Sequence, residues 1–192
     1  MANFKIAFQI TNGNEGGWQN DPNDPGNASS GLGTYKGIAS KKQPGWEGWK
    51  TVAAALHAMG LQPAYGSPAY RAFAHQLNST LAADPGLQSS VEKFYQANFW
   101  DVNSLGSFAN QELANKVYDS GVNQGTGTAA ILLQKALGVM ADGSIGPVTI
   151  ATANKTPGVV EKFKATRIAK YKAIVAVNPS NSQYLDDWIS RC

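Results

Sequence analysis

The chain has almost no cysteine: one in 192 residues, Cys192, and it is the last of them. No internal disulfide can form, and nothing marks an oxidising compartment. Histidine is nearly as scarce. His57 and His75 each stand without a cysteine or second histidine nearby. That argues against a zinc site or a Ser-His-Asp triad, and neither a metal nor a cofactor is expected. Long apolar runs are missing as well. Nothing approaches the roughly 20 residues of a membrane helix, so no integral membrane segment is expected. The opening MANFKIAFQITN has one lysine and then apolar residues interrupted by Gln9 and Asn12. It lacks the pattern of a signal peptide, and synthesis in the cytoplasm is the expectation. Charge of one sign is in short supply too. Sixteen basic residues against 13 acidic ones leave +3, too small a bias to point to nucleic acid but compatible with an anionic polymer.

What the chain does have is punctuation. A hydrophobic fraction of 43% over this length is enough for one full core, or for two small lobes sharing a groove. Trp46, Trp49, Val52, Leu56 and Met59 form one apolar stripe, and Ser67-Pro68 opens a second with Tyr70, Phe73, Leu77 and Leu81. Asp84-Pro85 opens a third with Leu87, Val91, Phe94 and Tyr95, while Leu113, Val117, Tyr118 and Val122 mark a fourth that ends near Gly125. Prolines at first helical positions and glycines just past the last ones are the usual helix boundaries. Ile131, Leu132 and Leu137 carry a helix stopping at Gly138, and Gly146-Pro147 and Thr156-Pro157 start two more, the second reaching Asn178-Pro179. In its basic run, Glu161 to Lys172, charges surround Phe163, Ile168 and Tyr171 at helical spacing, the pattern of a solvated helix face. DGSIG, from Asp142 to Gly146, is a turn signal.

Only residues 18 to about 40 resist a helical reading, because Pro22, Pro25, Gly26, Gly31, Gly33 and Gly37 break it repeatedly. Turns and a small hairpin are expected there. The fold class is therefore mainly α, in two lobes, with a small β-hairpin beside a cleft. The turn around Gly106 is the one plausible internal boundary, dividing residues 1–105 from 106–192.

The stretch NEGGWQNDPNDPGNAS, Asn14 to Ser29, concentrates the candidate chemistry. Phe4, Ala7, Phe8 and Ile10 fall at helical spacing, which puts Glu15 just past the C-terminal end of a first helix. The partial negative charge of helix-end carbonyls, with burial beside Trp18, is expected to raise its pKa and suit it to act as a general acid. Asp21 and Asp24 follow six and nine residues later, each before a proline that restricts the turn. Cleavage of a glycosidic bond needs such an acid, usually with a second carboxylate across the sugar. Ser29 and Ser30 could orient a water. The same residues also read as ordinary Asx-Pro turn formers beside a surface glutamate.

EGGWQNDPNDPGNAS resembles the signature of glycoside hydrolase family 108, in Glu15, Gly16, Gly17, Asn20, Asp21, Pro22, Asp24, Pro25 and Gly26, with Gly37-Ile38 as its closing Gly-Ile. VYDSGVNQG (Val117 to Gly125), LLQKALG (Leu132 to Gly138), DGSIGPVTI (Asp142 to Ile150) and the tail from Tyr171 to Arg191 resemble the peptidoglycan-binding region that follows in that family. The resemblance implies a lysozyme-like helical fold, with a catalytic part in 1–105 and a peptidoglycan-binding part in 106–192 packed into the same globular unit. It also implies an N-acetylmuramidase acting on the glycan strand, with Glu15 as catalytic glutamate. By analogy with phage-type lysozymes, Asp24 is expected as the second carboxylate and Ser29 as the hydroxyl near it. Departures are Trp18 for the usual Tyr, Asn27 and Ser29 for the usual Gly and Thr, and an insertion, Ser30 to Lys36. Trp18 keeps an aromatic plane for stacking on sugar, and Tyr35 in the lengthened hairpin is a further candidate, with Asp21 beside them. Asp119 and Asn123, four apart on a helix face, and Gln124 could bond sugar hydroxyls or acetamido groups, or else neighbouring backbone. The partner expected is the peptidoglycan glycan strand, met by a monomer that binds no nucleic acid. The rivals are a lytic transglycosylase, which closes the sugar on itself without water, and a non-catalytic peptidoglycan-binding protein. Lacking a signal peptide, the enzyme would reach the wall by holin-type or secretion-system release.

Overall fold

The computed structural model describes residues 1–12, 16–27 and 31–192. The chain forms two compact units, Asn14–Tyr95 and a second made of Met1–Gly13 with Gln96–Cys192.

The first unit places a three-stranded antiparallel sheet with three helices. Its strands are β1 (Trp18–Gln19), β2 (Thr34–Tyr35) and β3 (Ile38–Ala39), in that order. Trp18 lies opposite Tyr35, and Tyr35 opposite Ile38. The turn joining β2 and β3 has both central residues at positive φ, Lys36 at 44° and Gly37 at 75°, as a two-residue hairpin on right-twisted strands requires. A left-handed lysine is unusual. Here the turn is held from the helix Pro85–Tyr95: the Tyr95 hydroxyl donates to the Lys36 carbonyl (2.7 Å) and Lys36 Nζ donates to Gln88 Oε1 (2.8 Å). The helices are α2 (Trp49–Met59), α3 (Pro68–Ala82) and α4 (Pro85–Tyr95). The expected boundaries are those found: Ser67 caps α3 by accepting from the Tyr70 N–H (3.0 Å), and Asp84 Oδ1 accepts from the Leu87 N–H (2.8 Å). The apolar stripes supply the core, with Leu77, Leu81, Leu87 and Val91 at most 2% exposed.

Among the described residues the second unit is built of helices and turns: α1 (Phe4–Asn12), short π and 3-10 turns over Gln96–Ser107, α5 (Gln111–Gln124), α6 (Thr126–Leu137), α7 (Pro147–Lys155), α8 (Val159–Val177) and α9 (Leu185–Ser190). α5 packs against α1, α6 and α8. Phe4, Trp100 and Tyr118 meet edge to face, with centroids 5.8 to 6.1 Å apart, and the Tyr118 hydroxyl donates to Asn12 Oδ1 (2.7 Å) in the interior. α8 begins two residues later than Pro157 led us to expect, because Gly158 takes a left-handed φ of 63° and turns the chain first. DGSIG is a turn organised by buried Gln134, whose amide donates to Asp142 Oδ1 (2.7 Å) and accepts from the Gly143 N–H (2.9 Å).

The middle of α8 carries a fully buried cation. Arg167 Nη2 donates to Asp119 Oδ2 at 2.8 Å, and Nη1 to the Arg191 carbonyl at 3.3 Å. One residue thereby ties α8 to α5 and to the chain end. A buried charge left without its counterion is costly. Asp119→Asn is expected to lower the unfolding free energy by roughly 3 kcal/mol, read by chemical denaturation; a loss near zero would show that solvent, not Asp119, balances the guanidinium.

Candidate functional site

Strand β1, the turn after it and the start of β2 gather Asp21 and Asp24 with the polar side chains that hold them. Gln19 is the centre of the arrangement. Its amide nitrogen donates to Asp24 Oδ2 (2.7 Å), and its oxygen accepts from the Asp21 N–H (2.6 Å) and from Asn27 Nδ2 (2.7 Å). The second oxygen of Asp24 accepts from the Gly26 N–H at 2.8 Å. Buried Asn27 carries the network into the sheet, accepting from the Thr34 hydroxyl at 2.7 Å. Both oxygens of Asp24 are therefore held by neutral N–H donors, which fixes the carboxylate plane without neutralising its charge. Asp21 is differently placed. One of its oxygens accepts from the Asn23 N–H (2.8 Å) in an Asx turn, and the Tyr65 hydroxyl bonds to it, which pushes the Tyr65 pKa up.

The strand itself is anchored from α3, where Asn78 acts as a backbone surrogate. Its Oδ1 accepts from the Trp18 N–H and its Nδ2 donates to the Trp18 carbonyl (3.3 Å). A side chain at Gly17 would sit 2.2 Å from Asn78 Oδ1, so only glycine admits the clamp. Two residues after Trp18, the Asn20 N–H donates to the Tyr70 hydroxyl at 2.9 Å; burial raises the pKa of that phenol against the pull of the bond.

Two expectations change. Trp18, expected as a sugar platform, is 2% exposed: its ring packs with Tyr70 and Phe73, and its Nε1–H donates to the Leu32 carbonyl (2.6 Å). Tyr35, expected in the same role, is 1% exposed, accepts from Gln88 Nε2 (3.0 Å), and has its pKa raised chiefly by burial. The pairing of β1 with β2 turns both rings into the core, which leaves no open face for a sugar. They position the turn. Glu15 and Ser29 lie outside the described residues. In the second unit, Asp119 is engaged by Arg167 and by Asn123 Nδ2 (3.1 Å), so its oxygens serve the fold, while Asn123 accepts from Arg191 Nη1 at 2.6 Å. Gln124 is half-buried and lines a hollow with α8 and α9.

Gln19, Asn78, Tyr65 and Tyr70 were not singled out in the sequence. Gln19 falls inside the acidic motif but carries no charge, and the other three act from 44 or more residues away, so no local pattern marks them. Among the described residues no cluster of His, Cys, Asp and Glu could hold a metal ion.

A helical chain with a small sheet carrying an amide-braced pair of aspartates has the mainly α, lysozyme-like form. The solved structure of Brucella abortus SagA is similar in fold, with a TM-score of 0.58 at 20% identity, covering 98% of this chain and 92% of that one. No curated relative matches the chain in sequence. The family model for glycosyl hydrolase 108 matches residues 8–125, and a model described as a predicted peptidoglycan domain matches 128–192. The chain belongs to the glycosyl hydrolase 108 family and is a glycoside hydrolase acting on peptidoglycan.

Gln19→Leu keeps the volume of the side chain and removes all three of these bonds. We expect a folded protein whose rate of peptidoglycan hydrolysis falls by roughly ten- to a hundredfold, measured by sacculus turbidity alongside a thermal melt. An unchanged rate would show that the brace has no bearing on catalysis.

Proposed function

We propose that the protein is an N-acetylmuramidase, hydrolysing the β-1,4 bond between N-acetylmuramic acid and N-acetylglucosamine. The observation that supports this most is the family match over residues 8–125, which takes in Glu15 and the whole braced turn from Asp21 to Asn27. In this reading Glu15 delivers a proton to the leaving glycosidic oxygen as the bond to the anomeric carbon breaks. Asp24 stabilises the positive charge that develops there, or accepts a proton from the attacking water, and Ser29 orients that water. Asp24 is preferred to Asp21 because both of its oxygens are held in place, whereas Asp21 is tied to its own turn and to Tyr65. The enzyme works as a monomer, made in the cytoplasm and reaching the wall by holin-type or secretion-system release.

The roles are separable by mutation. Glu15→Gln is expected to lose at least about 10²-fold in lysis of purified peptidoglycan, and Asp24→Asn a similar factor; near-normal lysis by Glu15→Gln contradicts the assignment. If Asp21→Asn alone is crippling, the second carboxylate is Asp21.

A further inference from the structure

Burial of Trp18 and Tyr35 removes the two rings on which a sugar was expected to stack, yet the acidic turn keeps an aromatic neighbour in solvent. Tyr65 lies in the loop between α2 and α3 and is 45% exposed, more than any other Phe, Tyr or Trp described in the first unit. Left-handed glycines bound this loop, Gly60 at φ 81° and Gly66 at 80°, and it holds Tyr65 and the 98% exposed Leu61 outward. Two contacts fix the Tyr65 ring. It meets the buried Tyr70 ring at a centroid distance of 4.9 Å and an angle of 62°, and its hydroxyl bonds to the Asp21 carboxylate. Tyr70 in turn packs on Trp18 and accepts from the Asn20 N–H, so the exposed ring is tied to the strand that carries Gln19.

A ring anchored in this way loses little freedom when a ligand covers it. Beside it, Asn20 Nδ2 donates to Gln62 Oε1 at 3.2 Å. That bond occupies one atom of each amide; Gln62 Nε2 remains a donor and Asn20 Oδ1 an acceptor. A pyranose offers an apolar face of C–H groups to an aromatic plane, and an N-acetylated one adds an amide with one donor and one acceptor. An exposed aromatic beside a paired donor and acceptor matches that ligand. We propose that Tyr65 is the sugar platform of the site, stacking on an N-acetylated sugar of the glycan beside the Asp21–Asp24 turn, with the acetamido group between Asn20 and Gln62. The inference rests on the reading that the glycan is the substrate. The role is to bind and align the strand, not to move a proton.

Steady-state release of reducing ends from soluble glycan strands stripped of their stem peptides tests it, with retardation of the intact protein in native gels containing the same strands measured in parallel. Tyr65→Leu keeps an apolar side chain against Tyr70 and removes the flat face, whereas Tyr65→Phe keeps the face and removes the hydroxyl. Tyr65→Leu should raise KM and weaken retardation by about five- to tenfold, with kcat within about twofold, the mark of lost binding rather than lost chemistry. Tyr65→Phe should restore both to within about threefold of the unmodified protein. Indifference to Tyr65→Leu overturns the proposal. So does a Tyr65→Phe defect equal to that of Tyr65→Leu, because the bond to Asp21 and not the ring would then matter. The exposed Gln62 gives a second probe that leaves the packing of Tyr65 in place: Gln62→Ala should weaken retardation by N-acetylated strands about threefold and leave retardation by de-N-acetylated strands unchanged. Equal effects on the two polymers, or none, overturn the placement of the acetamido group. If strands are cut but Tyr65 is indifferent, only the platform falls. If the unmodified protein binds strands through Tyr65 and releases no reducing ends, the hydrolase reading falls and the platform stands.

Discussion

A turn built of Asp-Pro steps can brace itself only in part. Each proline removes a backbone donor; the Asn23 and Gly26 N–H groups hold one oxygen each of Asp21 and Asp24, and the remaining bonds must come from a side chain. Gln19 supplies them, joining the Asp24 carboxylate, the Asp21 backbone and the Asn27 side chain through one amide. The rest of the first unit reads as support for that residue. Asn78 on α3 holds the backbone of Trp18 beside it, Trp18 and Tyr35 fill the space beneath, and Gln88 and Tyr95 on α4 lock the hairpin that carries Thr34 to Asn27.

In the second unit the organising interaction is Arg167 with Asp119. A buried arginine needs its counterion and more than one acceptor, and it takes them from α5 and from the chain end. This explains how the two family matches relate to the physical chain. The boundary between them falls near Gly125, between α5 and α6, yet α5 packs on both α6 and α8. The peptidoglycan-binding segment therefore shares a core with the end of the catalytic segment, and Asp119, on the hydrolase side of the boundary, neutralises Arg167 on the other.

Much of this was legible in the sequence where local chemistry decides the outcome. Ser67-Pro68, Asp84-Pro85 and Gly146-Pro147 open helices because proline suits the first turn and the residue before it can cap, and Gly138 closes one in the left-handed conformation. The hairpin was legible from its glycines. What was not legible depends on partners distant in the chain. An aromatic beside glycines looks exposed until the strand it sits on is paired, and only the pairing of Trp18 with Tyr35 turns both inward. Asp119 looked like a polar residue free to meet a sugar because the arginine that claims it lies 48 residues away. Gln19 is neutral, and nothing in an acidic motif marks a glutamine as the residue that orders it.

We propose that water, activated within this site, cuts the bond at muramic acid. Digesting sacculi in water enriched in oxygen-18 and analysing the fragments by mass spectrometry tests it most directly. Hydrolysis by this route leaves reducing-end N-acetylmuramic acid carrying one heavy oxygen at its anomeric carbon. Unlabelled anhydro-muramic ends, formed by closure of the sugar on itself, or label found on N-acetylglucosamine ends, would contradict it.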